Sequence, residues 1–181
     1  MSFEIERKFL VHGDAWRDLA VSRTSIRQAY IAAEGKASVR VRISDNRMAT
    51  LTVKGRAVAL RRLELEYPVP VLDAEALMPL RQGAVIEKDR YVVPWADDLN
   101  WEIDVFSAEN TGLIVAEIEL RREDQEFDLP PWIGPEVTGQ TPYYNSSLAL
   151  RPFCDWSGLD RASGERRAGE APARPIVQIS R

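Results

Sequence analysis

The chain has 181 residues, 45% hydrophobic and 29% charged, with a formal net charge of −4. One domain with an ample core is the default at this length, and the acidic balance argues against a broad basic surface that would wrap nucleic acid. No apolar run reaches the roughly 18 residues of a membrane span, and a single cysteine (Cys154) and a single histidine (His12) leave no internal disulfide, thiolate cluster or histidine-rich zinc site and make a Ser-His-Asp triad a poor fit. The N-terminus opens directly into a strand pattern without a signal peptide. The expectation is a soluble cytoplasmic protein with no nucleic-acid or membrane partner, and a homodimer by the base rate of symmetric oligomers.

In chain order, the dominant signal is alternation with period two, the mark of a strand with one apolar and one charged face. Residues 2–11 set Glu4, Glu6 and Lys8 between Phe3, Ile5 and Phe9. His12-Gly13-Asp14 ends that run, which makes His12 a turn residue, and a short helix is expected at 14–20. Strands are expected at 24–33 and 37–45 around Glu34-Gly35-Lys36, the second placing Arg40 and Arg42 between Val39, Val41 and Ile43. The strand at 48–55 carries Lys54, and that at 61–69 carries Arg62, Glu64 and Glu66 between Leu63, Leu65 and Tyr67. A helix over 72–81 would line up Leu72, Ala76, Leu77 and Leu80 along one face. Strands at 84–93, 99–106 and 113–121 then bear Lys88 and Arg90, Glu102 and Asp104, and Glu117 and Glu119. After Pro130-Pro131, helical pieces are expected near 134–138 and 145–151. Residues 1–155 form the expected domain. Residues 156–181, rich in Gly, Ala, Arg, Glu and Pro, are expected to be a flexible tail, with disorder expected for the run 175–179 as well and docking of that run the alternative.

The charged faces together hold seven cations and eight carboxylates. They admit two readings. Solvated outer faces of an ordinary antiparallel sheet are the common case. Yet the charges recur as pairs of one sign two residues apart, which repel unless an ion or ligand lies between them. Eight such strands suit an α+β, mostly antiparallel fold: a closed eight-stranded barrel with a charged interior and short peripheral helices, since closure removes unpaired edges.

The ordered set Glu4-Ile5-Glu6-Arg7-Lys8-Phe9, Gln28-Ala29-Tyr30-Ile31, Val39-Arg40-Val41-Arg42, Leu51-Thr52-Val53-Lys54-Gly55, Arg62-Leu63-Glu64-Leu65-Glu66-Tyr67, Lys88-Asp89-Arg90-Tyr91, Trp101-Glu102-Ile103-Asp104-Val105-Phe106 and Ala116-Glu117-Ile118-Glu119-Leu120 resembles the strand motifs of the CYTH superfamily, also called triphosphate tunnel metalloenzymes. Tyr143-Tyr144-Asn145-Ser146-Ser147 resembles its terminal helix entry, and the likeness covers about residues 2 to 153.

The resemblance implies a tunnel that hydrolyses or rearranges a triphosphate with Mg²⁺ or Mn²⁺. It would assign Glu4, Glu6, Glu64, Glu66, Asp104, Glu117 and Glu119 to metal, and Arg40, Arg42, Lys54, Arg62, Lys88 and Arg90 to phosphate. It would also pair Lys8 with Tyr30 as a catalytic dyad. Residue chemistry agrees, because Arg forks and Lys ammoniums neutralise phosphate while carboxylates beside a polyanion make sense as ligands of hard cations. Lys8, Lys54 and Lys88 all lie on charged strand faces, where burial and neighbouring cations can lower the pKa of an amine as they cannot usefully lower that of a guanidinium. The leading expectation is an inorganic triphosphatase; adenylyl cyclase, thiamine triphosphatase and a non-catalytic polyphosphate- or nucleotide-binding module are the alternatives.

Overall fold

The computed structural model describes residues 2–32, 37–55, 64–122, 124–158 and 176–180, with the backbone alone at 2–4, 64, 97 and 176–180. Alternation becomes strand throughout: β1 (Ser2–Val11), β2 (Ser22–Ala32), β3 (Ala37–Ser44), β4 (Met48–Gly55), β5 (Glu64–Val69), β6 (Gln82–Pro94), β7 (Asn100–Phe106) and β8 (Ile114–Leu120). Two further strands are β9 (Ile133–Glu136) and β10 (Ile176–Ser180), and all pairings are antiparallel.

The sheet runs β10-β1-β8-β7-β6-β2-β3-β4-β5, with β9 also on β1. The expected closed barrel is therefore not formed among the described residues. A strand has two edges, and those of β1 are both taken: β8 holds one, while β10 pairs with residues 2–6 and β9 with Phe9 and Val11 on the other. No edge remains for β5. Pro68 within β5 suits this end position, since it lacks a ladder donor.

The helices are shorter than their patterns suggest. Residues 14–20 yield only a 3-10 turn at Arg17–Leu19. Residues 72–81 give α1 (Val71–Leu77) followed by a 3-10 turn at Met78–Leu80, where Pro79 cannot supply the next helical N–H. The helix expected at 134–138 is instead β9. Gly134 and Pro135 are poor helix formers, and Arg7, off the charged parity of β1, holds Glu136 through two hydrogen bonds of 2.8 and 2.6 Å. The piece expected at 145–151 is α2 (Asn145–Leu150).

Apolar side chains cover the outer face in two patches. Ile5, Phe9, Trp101, Ile103, Ala116 and Ile118 pack with Trp16 and Trp132 over β1, β8 and β7. Ala29, Val41, Ile43 and Ala49 pack under Ala74 of α1 and Met78. A third cluster lies on the inner face, where Leu10, Tyr30, Ile86, Phe106 and Val115 continue the parity of the charged positions and meet Val137, Tyr143, Leu148, Ala149 and Trp156. One end of the concave face is thus filled with hydrocarbon beneath α2, and the charged residues occupy the remainder.

Gly83 makes that seating of α2 possible. Its φ is +72°, and a Cβ there would collide with the Ala149 carbonyl. Gly83→Ala is expected to cost about 2–3 kcal/mol from left-handed strain and overpacking together. Urea denaturation checks this; a midpoint equal to that of the parent protein would show that α2 can shift freely.

Candidate active site

Inner-face charges on four neighbouring strands form one connected network. Arg90 of β6 is its hub. Its Nε and Nη2 donate to Asp104 at 2.7 Å each, Nη2 also reaches Glu117 at 2.9 Å, and Nη1 donates to Glu102. Lys88 donates to Asp104 Oδ2, the oxygen that also accepts from Arg90 Nη2, and both Lys88 and Asp104 are buried. Lys8 of β1 lies 2.7 Å from Glu117 and 3.4 Å from Glu6. Since Arg90 on β6 reaches across β7 to Glu117 on β8, the sheet must be strongly curled here.

A second group lies on β2 to β5. Arg40 donates to Thr52 at 3.1 Å and stands 3.7 Å from Glu66, and Thr52 in turn donates to Glu66 at 2.9 Å. Arg42 donates through Nε to the Gln28 amide oxygen at 3.2 Å. The register sets both contacts, because Gln28 lies opposite Arg42, Arg40 opposite Thr52, and Thr52 opposite Glu66.

Electrostatics separates the two groups. In the first, burial opposes ionisation of Asp104 and Glu117, yet Lys88 and Arg90 hold Asp104, and Lys8, Arg90 and Lys88 hold Glu117, below the ordinary carboxyl range. In the second, burial and then the nearby Arg40 and Arg90 bring Arg42 down to about 10. That guanidinium sits among cations without enough negative charge to balance them, a state an arriving anion relieves.

Burial acts to lower Lys8 as well, but Glu117 and Glu6 outweigh it and hold the amine above its usual value. For Lys8 this corrects the reading that burial and neighbouring cations lower the amine, because two acids flank it. The lysine brought down, to about 8, is Lys88, through burial opposed by Asp104 and assisted by Arg90. Burial raises the Tyr30 phenol against the pull of Arg40, Arg42 and Lys8. Lys8 and Tyr30 feel each other through space, and no hydrogen bond joins them among the described contacts. The ring beside Lys8 is that of Tyr144, whose centroid is 5.8 Å from Nζ.

Of the residues assigned to metal, Glu6, Asp104 and Glu117 share the network, Glu66 stands apart on β5 with its side chain 48% exposed, and Glu119 is exposed. Arg62 and the side chains of Glu4 and Glu64 lie outside the described residues. Lys54 is half-buried on β4, in register with Glu64. Gln28, Thr52 and Tyr144 belong to the site but were not assigned roles from sequence. The first two share the parity of Arg42 and Arg40, a signal that attention to charge alone passes over.

No three His, Cys, Asp or Glu residues among those described converge as a ready-made metal cage. Glu6 and Glu117 nevertheless offer an all-oxygen pair of the kind a hard divalent cation takes. Burial, and then the nearness of Glu117, push the Glu6 carboxyl up to about 7 against the pull of Lys8.

In cation-free protein the raised Glu6 pKa favours the fold below the ordinary value of 4.5, and that support is lost as pH rises through about 7. The expected result is a fall in melting temperature across that window in chelator-treated protein, abolished by Glu6→Gln. An identical pH profile in that variant would rule Glu6 out as its source.

The family model described as "CYTH domain" matches residues 2–150. An inorganic triphosphatase of Acetivibrio thermocellus is 46% identical over 154 residues, covering 84% of this chain and 97% of the relative. An inorganic triphosphatase of Nitrosomonas europaea is 34% identical over 149 residues, covering 81% and 97%. Among solved structures, one described as an inorganic triphosphatase superposes with a TM-score of 0.67 at 34% identity, covering 83% of this chain and 96% of that one.

Proposed function

The chain belongs to the CYTH domain family, and from that premise we propose that it is an inorganic triphosphatase, hydrolysing tripolyphosphate to pyrophosphate and phosphate with Mg²⁺ or Mn²⁺. The observation that carries this reading is the meeting, on one concave face, of the Arg42 guanidinium, which has no carboxylate within ion-pair distance among the described residues, and its neighbour Arg40 with the carboxylates of Glu6 and Glu117. The relatives described as inorganic triphosphatases support it.

In this reading Arg40 and Arg42 bind the phosphate chain as planar forks, and Lys54, Arg62, Lys88 and Arg90 add charge along it. Glu6 and Glu117 would hold the divalent cation, with Glu4, Glu64, Glu66, Asp104 and Glu119 as further donors. When bound, such a cation supplies charge neutralisation at the phosphoryl oxygens and on the leaving group. Lys8, an ammonium at neutral pH, acts as a donor: it orients the attacking water or a phosphoryl oxygen and does not remove a proton. Tyr30 and Tyr144 flank that position.

Product analysis tests the reading. Purified protein is incubated with tripolyphosphate, ATP or thiamine triphosphate, each with Mg²⁺ and with Mn²⁺. Rapid phosphate release from tripolyphosphate is expected, with little from ATP. Cyclic AMP with pyrophosphate would replace the hydrolase by a cyclase, and binding without turnover would leave a binding module.

A further inference from the structure

The cations of the inner face are held in two different ways. Lys8, Lys88 and Arg90 each touch carboxylates. Arg42 meets no carboxylate within ion-pair distance among the described residues; its Nε contact is the neutral amide oxygen of Gln28. Gln28 is 0% exposed and lies opposite Arg42 across the β2–β3 ladder. Because Arg42 can only donate, the amide must turn its oxygen to it. The Gln28 Nε2 is then buried with no acceptor, as is the neighbouring Arg40 Nε. A buried donor without a partner calls for a reason, and two together on a wall already rich in positive charge point to an anion.

We propose that Gln28 is a positioning residue for the phosphate subsite, holding the Arg42 fork through a neutral oxygen so that its charge stays uncompensated for a phosphoryl group. This rests on the triphosphatase reading. A carboxylate at residue 28 would hold the fork equally well and cancel its charge. An apolar side chain would leave the charge but release the fork. The amide does both, and its N–H groups, buried without an acceptor, would donate to a phosphoryl oxygen or a bridging water.

Steady-state kinetics on tripolyphosphate tests this. Gln28→Glu, close to isosteric, is expected to raise KM about tenfold or more, the scale of losing one charge-assisted contact, while kcat changes less than about twofold. Gln28→Met is expected to raise KM by less, through loss of orientation alone, and it serves if Gln28→Glu does not fold. In an Arg42→Met background the glutamate has no guanidinium to cancel, so the two effects should fall well short of adding. An unchanged KM in both single variants, or additive effects in the double variant, would overturn the inference while leaving the triphosphatase intact. If the parent protein neither binds nor cleaves tripolyphosphate, the triphosphatase reading falls and takes this one with it.

Discussion

Arg90→Met is expected to lower the unfolding free energy by about 3–5 kcal/mol, the usual cost of removing one member of a buried charge cluster. Arg90 binds Asp104 through two nitrogens and also reaches Glu117 and Glu102. Asp104 is only 1% exposed, so water cannot replace the lost donors. Lys88 and Lys8 would remain, one on each buried acid, which keeps the expected loss within that range. The pH dependence provides a second check. Asp104 and Glu117 have folded pKa values held below the ordinary range, so what they contribute to stability is present above that range and is lost as pH falls through the lowered values. The difference between Arg90→Met and parent should therefore shrink towards acid. Urea denaturation at several pH values measures this, and a loss below about 1 kcal/mol, as for a surface pair, would remove Arg90 from its place as the hub.

Lys8→Ala is expected to reduce turnover of tripolyphosphate by about 10²- to 10³-fold, the range for removing one positioned hydrogen-bond donor from the site of developing charge, with a smaller change in KM. Lys8 is the described cation of β1 that reaches the Glu6–Glu117 carboxylates, and Tyr144 stacks beside it. Those two acids keep it protonated near neutrality against the effect of burial. Its ionisation should therefore leave no limb in the rate profile near neutral pH. Divalent-cation binding, followed by calorimetry, should survive in the variant, since the carboxylates that would hold the ion are retained. A parental kcat in a folded Lys8→Ala protein would take Lys8 out of the chemistry.

The seven strands bearing the charged faces were legible because period-two alternation is local and repeated, and because register carries each charge to the same side. The seam was not legible. Whether β5 meets β1 depends on which strands compete for one edge, and β9 arises from Ile133-Gly134-Pro135-Glu136, which has no alternation of its own. Its position is decided by long-range contacts, with Arg7 on Glu136 and the Val137 N–H on the Lys8 carbonyl at 2.8 Å. The site was legible in its charges and obscure in its neutral members. Gln28 and Thr52 carry no formal charge, and their importance appears only once Arg42 and Arg40 are seen to lean on them. The direction of the Lys8 shift was equally hidden. Burial, which lowers an amine, can be inferred from a strand pattern, whereas the distances to two acids on different strands cannot.

The hydrocarbon packed under α2 has a consequence for traffic. With Leu10, Ile86, Phe106 and Val115 filling one end of the concave face, that end offers a phosphate chain hydrocarbon in place of charge. In the triphosphatase reading a polyanion would lie along the charged residues and not beneath α2, since apolar groups return nothing for the water that a phosphoryl oxygen would shed there.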